Sequence, residues 1–261
     1  MLSDPHLIAL GKAVENDAWP RPKCPGCMDA RINFEKPTEI LDPGSASSQD
    51  HPAWEPDWIY GSFHIVGRCE GADCGQIVLG VGSFRVGQAE REYEQQYATW
   101  YSLDYLSPPI ILLRVPESAP TIVSDGIERA SRLLLADPGL AATALRTTVE
   151  LFLTSEGVAA QDANGNFISA HKRIGQWEAA GGDPKVAALF KAVKWIGNVG
   201  THEDSDLTLK DVLEGAEFLD EAFHRLFVGP DIDLRAQAIN SAKGPNRATP
   251  GPSASPPQPA P

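Results

Sequence analysis

Four cysteines fall into two pairs, Cys24-Pro25-Gly26-Cys27 and Cys69-Glu70-Gly71-Ala72-Asp73-Cys74. Soft, deprotonatable sulfur at this spacing predicts a zinc site: Zn²⁺ takes four thiolates in a tetrahedron, and a Cys-x-x-Cys turn delivers two of them from one short loop. Pro25 presets φ within that turn, and Gly26 tolerates the tight geometry next to a metal. The second pair, with four intervening residues, needs a looser knuckle. All four cysteines then ligate one structural Zn²⁺, whose closed shell leaves no open position for catalysis. Reduced core cysteines and redox-active thiols are the alternatives, with a structural disulfide behind both. His64 could replace one thiolate, although within Phe63-His64-Ile65-Val66 it reads as an ordinary half-buried strand residue.

A second stretch with chemical potential is Lys194-Trp195-Ile196-Gly197-Asn198-Val199-Gly200-Thr201-His202. If a helix runs through it, Asn198 lies about 40° and His202 about 80° from Lys194 around the axis, so the three share a face. Such a group could bind and polarise a phosphodiester. His202 would be the general acid or base, because imidazole titrates near neutrality. Lys194 would stabilise charge developing on phosphate, with Asn198 orienting either. Gly197 and Gly200 each weaken a helix by roughly 1 kcal/mol, so their presence implies close approach of another helix or a helix end near Gly200. The architectural alternative makes Asn198 and His202 helix-end caps, and residue chemistry alone favours it. Glu203, Asp204 and Asp206 read as a solvated loop before a helix start at Thr208, not as a ligand set. No Gly-rich phosphate loop, dinucleotide fingerprint or nucleophile elbow is present.

The elements that must hold these groups divide the chain of 261 residues in two. From about 20 to 106 it is rich in Gly and Pro, with short β-like runs such as Gln76 to Val81. Asp42 to Ser48 reads as a flexible insertion, Trp54, Trp58, Tyr60 and Phe63 as rings covering the zinc core, and Glu90 to Trp100 as helical. Leu106-Ser107-Pro108-Pro109 breaks the chain. Apolar residues then recur at helical spacing and predict helices over about 122–136, 139–156, 168–180, 184–200 and 207–227. Asp183-Pro184 is a strong start signal. The fold class is α+β: a small zinc-stapled β/loop module over 1–114, an antiparallel helical bundle over 115–229, and a disordered Pro-rich tail over 230–261.

A net charge of −13 excludes a general phosphate-binding surface, so any nucleic-acid contact must be local. The start of the chain lacks the basic and apolar regions of a secretory signal, and no apolar run approaches membrane-spanning length. Thiols arranged as ligands fit a reducing cytoplasm.

Leu145-Arg146-x-x-x-Glu150, followed by Ile196-Gly197-Asn198 and His202, resembles the bacterial family called domain of unknown function 4145, over roughly residues 115 to 228. Many members also carry an N-terminal zinc-ribbon-like region, which Cys24, Cys27, Cys69 and Cys74 would match. The resemblance implies a link to prokaryotic defence and a helical domain similar to the HEPN superfamily, many of whose members are metal-independent ribonucleases acting as dimers. In those nucleases an Arg and a His work across the dimer interface. Here Lys194 stands where Arg is expected and lies further from His202, and Lys cannot form the bidentate fork that fixes a phosphate. The expected function is therefore a non-catalytic, zinc-containing interaction or sensor protein. The alternative is a HEPN-like ribonuclease or toxin using His202, Lys194 and Asn198. A homodimer with a protein or RNA partner is expected in either case.

Overall fold

Alternation of apolar and polar residues in Phe63, Ile65 and Gly67 against Ser62, His64 and Arg68 builds the central strand of a curled antiparallel sheet. The computed structural model describes residues 4–90, 96–201 and 207–242. Its first half comprises α1 (Pro5–Leu10), β1 (Val14–Glu15), β2 (Ile32–Phe34), β3 (Thr38–Leu41), α2 (Pro43–Ser48), a 3₁₀ turn (Pro56–Trp58), β4 (Tyr60–Cys69), β5 (Ile77–Gln88) and β6 (Tyr97–Ser107). The sheet order is β1-β6-β5-β4-β2, with β3 also pairing with β4. On the inner face Trp19 packs against Phe34, Phe63 and Tyr101, with ring centroids 5.7, 5.7 and 5.6 Å away.

Three local expectations are corrected here. Residues from Tyr97 onward are strand rather than helix, because Tyr97, Thr99, Trp100 and Tyr101 favour extended backbone and pair with β5; residues 91–95 of that stretch lie outside the described residues. The presumed flexible insertion is α2, started by Asp42, whose carboxylate accepts from Gly44 N, and by Pro43 in the first turn. Its buried Ser45 Oγ accepts a hydrogen bond from Tyr60 N. The aromatic cluster does not cover the cysteines. Tyr60 and Cys69 stand at opposite ends of β4, about 30 Å apart along an extended strand; Phe63 belongs to the sheet core, and Trp58 stacks on His51.

Beyond β6 the chain crosses an extended segment whose Ile110, Leu112 and Leu113 are buried in a core that runs from the sheet into the helices. The second half comprises α3 (Thr121–Leu133), α4 (Pro138–Ser155), α5 (Ala170–Ala179), α6 (Pro184–Val199), α7 (Leu209–Phe223), a π-turn (His224–Val228) and α8 (Gly229–Ala242). Asp137, Ser169 and Asp183 cap the starts of α4, α5 and α6 through their side-chain oxygens. Thr208 and Asp211 form a reciprocal capping box on α7. Helix α4 buries Ala141, Ala142, Leu145, Val149, Phe152 and Leu153 along one broad face and packs against α3, α5, α6 and α7. Phe152 meets Phe190 at 5.4 Å and Phe223 at 6.1 Å.

The tail expected from residue 230 is helical through Ala242, because α8 continues the helix of α7 past Gly229 in right-handed backbone. Residues 243–261 lie outside the described residues. Among the described residues no helix is long and apolar enough to cross a membrane.

Candidate functional site

The two cysteine turns are set side by side by strand pairing. Cys24 lies in a turn closed by the bridge between Lys23 and Arg31, where Cys24 N donates to Ala30 O and Met28 N donates to Cys24 O. Cys69 ends β4 opposite Ile32 of β2, and Cys74 sits in the turn into β5. The ladder between β2 and β4 therefore delivers both pairs to one point. Sulfur to sulfur distances are 3.7 Å for Cys24 and Cys74 and 3.7 Å for Cys27 and Cys69. All four ligand atoms lie within 4.8 Å of one another. A tetrahedron with bonds of about 2.3 Å has edges of about 3.8 Å, so the arrangement fits a four-thiolate metal site. A disulfide needs sulfurs about 2.05 Å apart, and all four cysteines are free.

Each turn also aims backbone N–H groups at sulfur. Gly26 N donates to Cys24 Sγ and Gly71 N to Cys69 Sγ, both at 3.3 Å. The residue after the second cysteine of each pair is left-handed, Met28 at φ 65° and Gly75 at φ 63°. The N–H groups of Ala30 and Asp29 lower the Cys27 thiol to about 6. Burial raises Cys24 and pushes Cys69 up to about 12. Without an ion the quartet thus holds protons unequally, and a bound cation would displace those that remain. His64 is exposed on β4 opposite Val81 and is not one of the clustered ligands.

The helical residues singled out from sequence meet between α4 and α6. Arg146 Nε donates to Glu150 Oε1 at 3.0 Å, and its Nη1 donates to Asn198 Oδ1 at 3.0 Å. Lys194 is only 9% exposed and holds Nζ 3.1 Å from the centroid of the Trp195 ring. Burial, followed by repulsion from Arg146, lowers its pKa. Close backbone approach makes this contact possible: a Cβ on Gly197 would stand 2.5 Å from Arg146 Cβ and 2.8 Å from Ala142 O. One on Gly200 would stand 2.3 Å from Gly139 O. Helix α6 ends at Val199 with Gly200 as its cap, and both Lys194 and Asn198 stand on it. His202 itself lies outside the described residues, as do Glu203, Asp204 and Asp206.

Residues 128–242 match the family model described as a domain of unknown function (DUF4145). Residues 12–109 match a second, also a domain of unknown function (DUF8608). No curated protein and no solved structure matches the chain. The cysteine quartet falls inside the second match, and Arg146, Glu150, Lys194 and Asn198 fall inside the first.

Sequence reasoning missed Arg173. It is 2% exposed, and its Nη2 donates to Thr154 Oγ1 at 2.7 Å and to Val158 O at 2.9 Å, while Nε has no partner. These bonds bind a cation to carbonyl and hydroxyl groups at the end of α4, where the helix dipole favours it. Ala170, Arg173, Ile174 and Trp177 are the buried positions of α5, and this i, i+3, i+4, i+7 row with a charge inside it was the available signal.

Proposed function

We propose that the chain is a non-catalytic interaction or sensor protein. In this reading its sheet half is stapled by one structural Zn²⁺ on Cys24, Cys27, Cys69 and Cys74, in the manner of a zinc ribbon, and its helices are HEPN-like. Four thiolates complete a tetrahedral shell, so the ion supplies folding energy and no Lewis-acid chemistry. Thiols that serve as metal ligands suit a reducing compartment such as the cytoplasm.

The observation that carries the non-catalytic reading is the use already made of the polar helical residues. The Arg146 guanidinium is divided between Glu150 and Asn198. Asn198 therefore acts as a strap between α4 and α6, not as a group turned towards a substrate. The runner-up is RNA cleavage by His202 with Lys194. One observation favours it: Lys194 has no carboxylate partner among the described residues and is held by the Trp195 ring alone.

The deciding experiment incubates mixed RNA with purified wild-type protein and the His202→Ala and Lys194→Met variants, with metal content measured on the same samples. The expected result is one zinc per chain and intact RNA throughout. RNA cleavage by the wild type that His202→Ala abolishes, with fold and zinc content unchanged, would overturn the non-catalytic reading. Absence of stoichiometric zinc would overturn the metal assignment.

A further inference from the structure

Helices α3 and α4 leave an open trough of about 210 Å³ between them. Its floor is made of small or tightly packed residues. Gly126 lets the helices approach so closely that a Cβ there would stand 2.3 Å from Thr148 Oγ1, and Gly126, Ala144 and Thr148 are all buried. Its walls are leucines, Leu133 on α3 with Leu140 and Leu151 on α4. Leu140, Thr143, Thr147 and Leu151 follow one another at i, i+3, i+7 and i+11, a row about 16 Å long. Such a volume admits a small organic molecule, since a cavity of about 150 Å³ already holds benzene.

The polar groups of the trough narrow what that molecule is. Thr143, Thr147 and Thr148 direct their hydroxyl hydrogens back onto α4, donating to Gly139 O, Thr143 O and Ala144 O at 3.0, 2.9 and 2.9 Å. The other lining side chains are Gly, Ala and Leu, which carry no donor. The Arg129 guanidinium is therefore the one free donor among the side chains that line the trough. It is exposed and makes no ion pair among the described residues, although Asp125 stands one turn earlier on α3 and the neighbouring Arg132 pairs with Glu128. No carboxylate lines the trough, in a chain whose net charge is −13. A planar fork of N–H groups matches the two oxygens of a carboxylate. A phosphate ester brings a third oxygen and more charge than one guanidinium answers. A peptide or a sugar brings further amides or hydroxyls, for which the trough has no second free donor.

We propose that the trough between α3 and α4 binds a medium-chain fatty acid, with the carboxylate on Arg129 and the chain laid along the row walled by leucines. Burial of the chain supplies most of the affinity, and the single cation fixes its orientation and selects its charge. This inference goes beyond the reading of the zinc site and His202 and does not depend on either.

Isothermal titration of the purified full chain at neutral pH should show saturable binding of one octanoate per chain. Octanol and octylammonium have the same chain without the negative charge, and each should bind about tenfold more weakly. Octyl phosphate and acetyl-leucyl-leucine should also bind more weakly than octanoate. Arg129→Gln, at an exposed position, should lower octanoate affinity about tenfold with octanol binding and circular dichroism unchanged. Thr147→Phe, which fills the trough from a half-buried position, should abolish binding of both. Absence of saturable octanoate binding would overturn the proposal, as would an octanoate affinity indifferent to Arg129→Gln or to Thr147→Phe. Equal binding of octanol or octylammonium would make the trough an unselective apolar surface, and tighter binding of octyl phosphate or acetyl-leucyl-leucine would make a phosphate ester or a peptide end its occupant; each of these results overturns the proposal too.

Discussion

Replacing Gly197 with alanine sets helix propensity against packing, and the structure decides between them. Inside a helix, Gly→Ala is favourable by about 1 kcal/mol. At this position the new Cβ would stand 2.5 Å from Arg146 Cβ and 2.8 Å from Ala142 O. One neighbour is backbone, and the other is the root of a side chain anchored at both Glu150 and Asn198, so neither yields by rotating a flexible tip. Helix α6 must move away from α4, stretching the bond from Arg146 to Asn198. Overpacking costs about 1–3 kcal/mol and the strained hydrogen bond up to about 1 kcal/mol more, which after the propensity gain of about 1 kcal/mol leaves a net loss of about 0–3 kcal/mol, centred near 1.5 kcal/mol. Gly175 in α5 is the matched control, because a Cβ there meets nothing within 4 Å. Gly175→Ala should therefore stabilise by up to about 1 kcal/mol. In thermal melts followed by far-ultraviolet circular dichroism, with about 2–4 °C per kcal/mol for a chain of this size, Gly197→Ala should melt about 2–8 °C lower and Gly175→Ala about 2–4 °C higher. A Gly197→Ala protein that melts at or above the wild type would refute the close approach of α4 and α6.

Three further outcomes are expected. Zinc affinity should rise with pH across neutrality and binding should release protons, because the Cys24 and Cys69 thiols are raised by burial and must be deprotonated to ligate; competition titrations with a chromogenic chelator at two pH values measure this, and a pH-independent affinity would contradict it. Met28→Gly should stabilise the zinc-loaded protein by about 1 kcal/mol in urea denaturation, since Met28 holds φ 65° at the place where the second turn has Gly75. Thr208→Ala should cost about 1 kcal/mol at neutral pH, and the gap from wild type should narrow below about pH 4 to the part owed to the bond from Asp211 N to Thr208 Oγ1, which does not titrate. The sign follows from Asp211, whose pKa is lowered by the side chain and N–H of Thr208: a depressed carboxylate stabilises above its unfolded value and loses that contribution as pH falls through the folded one.

The helical half was legible because its signals are local. Asp183 with Pro184 marked the start of α6, and the apolar row of α4 marked its length to within a residue or two. The cysteine quartet was legible for a different reason, since sulfur ligands declare their chemistry by type and spacing whatever the intervening fold. The sheet was harder, because strand identity there comes from pairing. Glu90 to Trp100 looks polar and helical in isolation, yet Tyr97 to Ser107 becomes strand once β5 lies beside it. Arg146, Glu150 and Asn198 were recognised as a motif, but sequence spacing could not show that one guanidinium joins all three. Their meeting depends on two glycines allowing α4 and α6 to touch.

The cysteine turn is also joined to the helices by a short path of contacts. Arg31, next to the first strand after Cys27, reaches Asp4 at 3.1 Å, and the Asp4 carboxylate is 4% exposed and accepts from His6 N at the start of α1. Helix α1 buries Leu7 and Leu10, Leu7 faces Leu106, Ile110 and Leu134 across a small cavity, and Gly11 packs against Leu209 at the start of α7. The other turn leads directly into β5, where Leu79 pairs with Ser107, the last residue before the buried segment of Ile110, Leu112 and Leu113. Leu112 N in turn donates to Ser131 Oγ of α3. Both cysteine turns thus stand at the end of the sheet that meets the helices, and the two family-matched segments share one core rather than a solvated linker. The sensor reading proposed above calls for a packed junction of this kind, since elements that both sites contact can carry a bias from one to the other. Metal at the quartet would bear on α1 through Arg31 and Asp4, and through Gly11 on Leu209 in the first turn of α7.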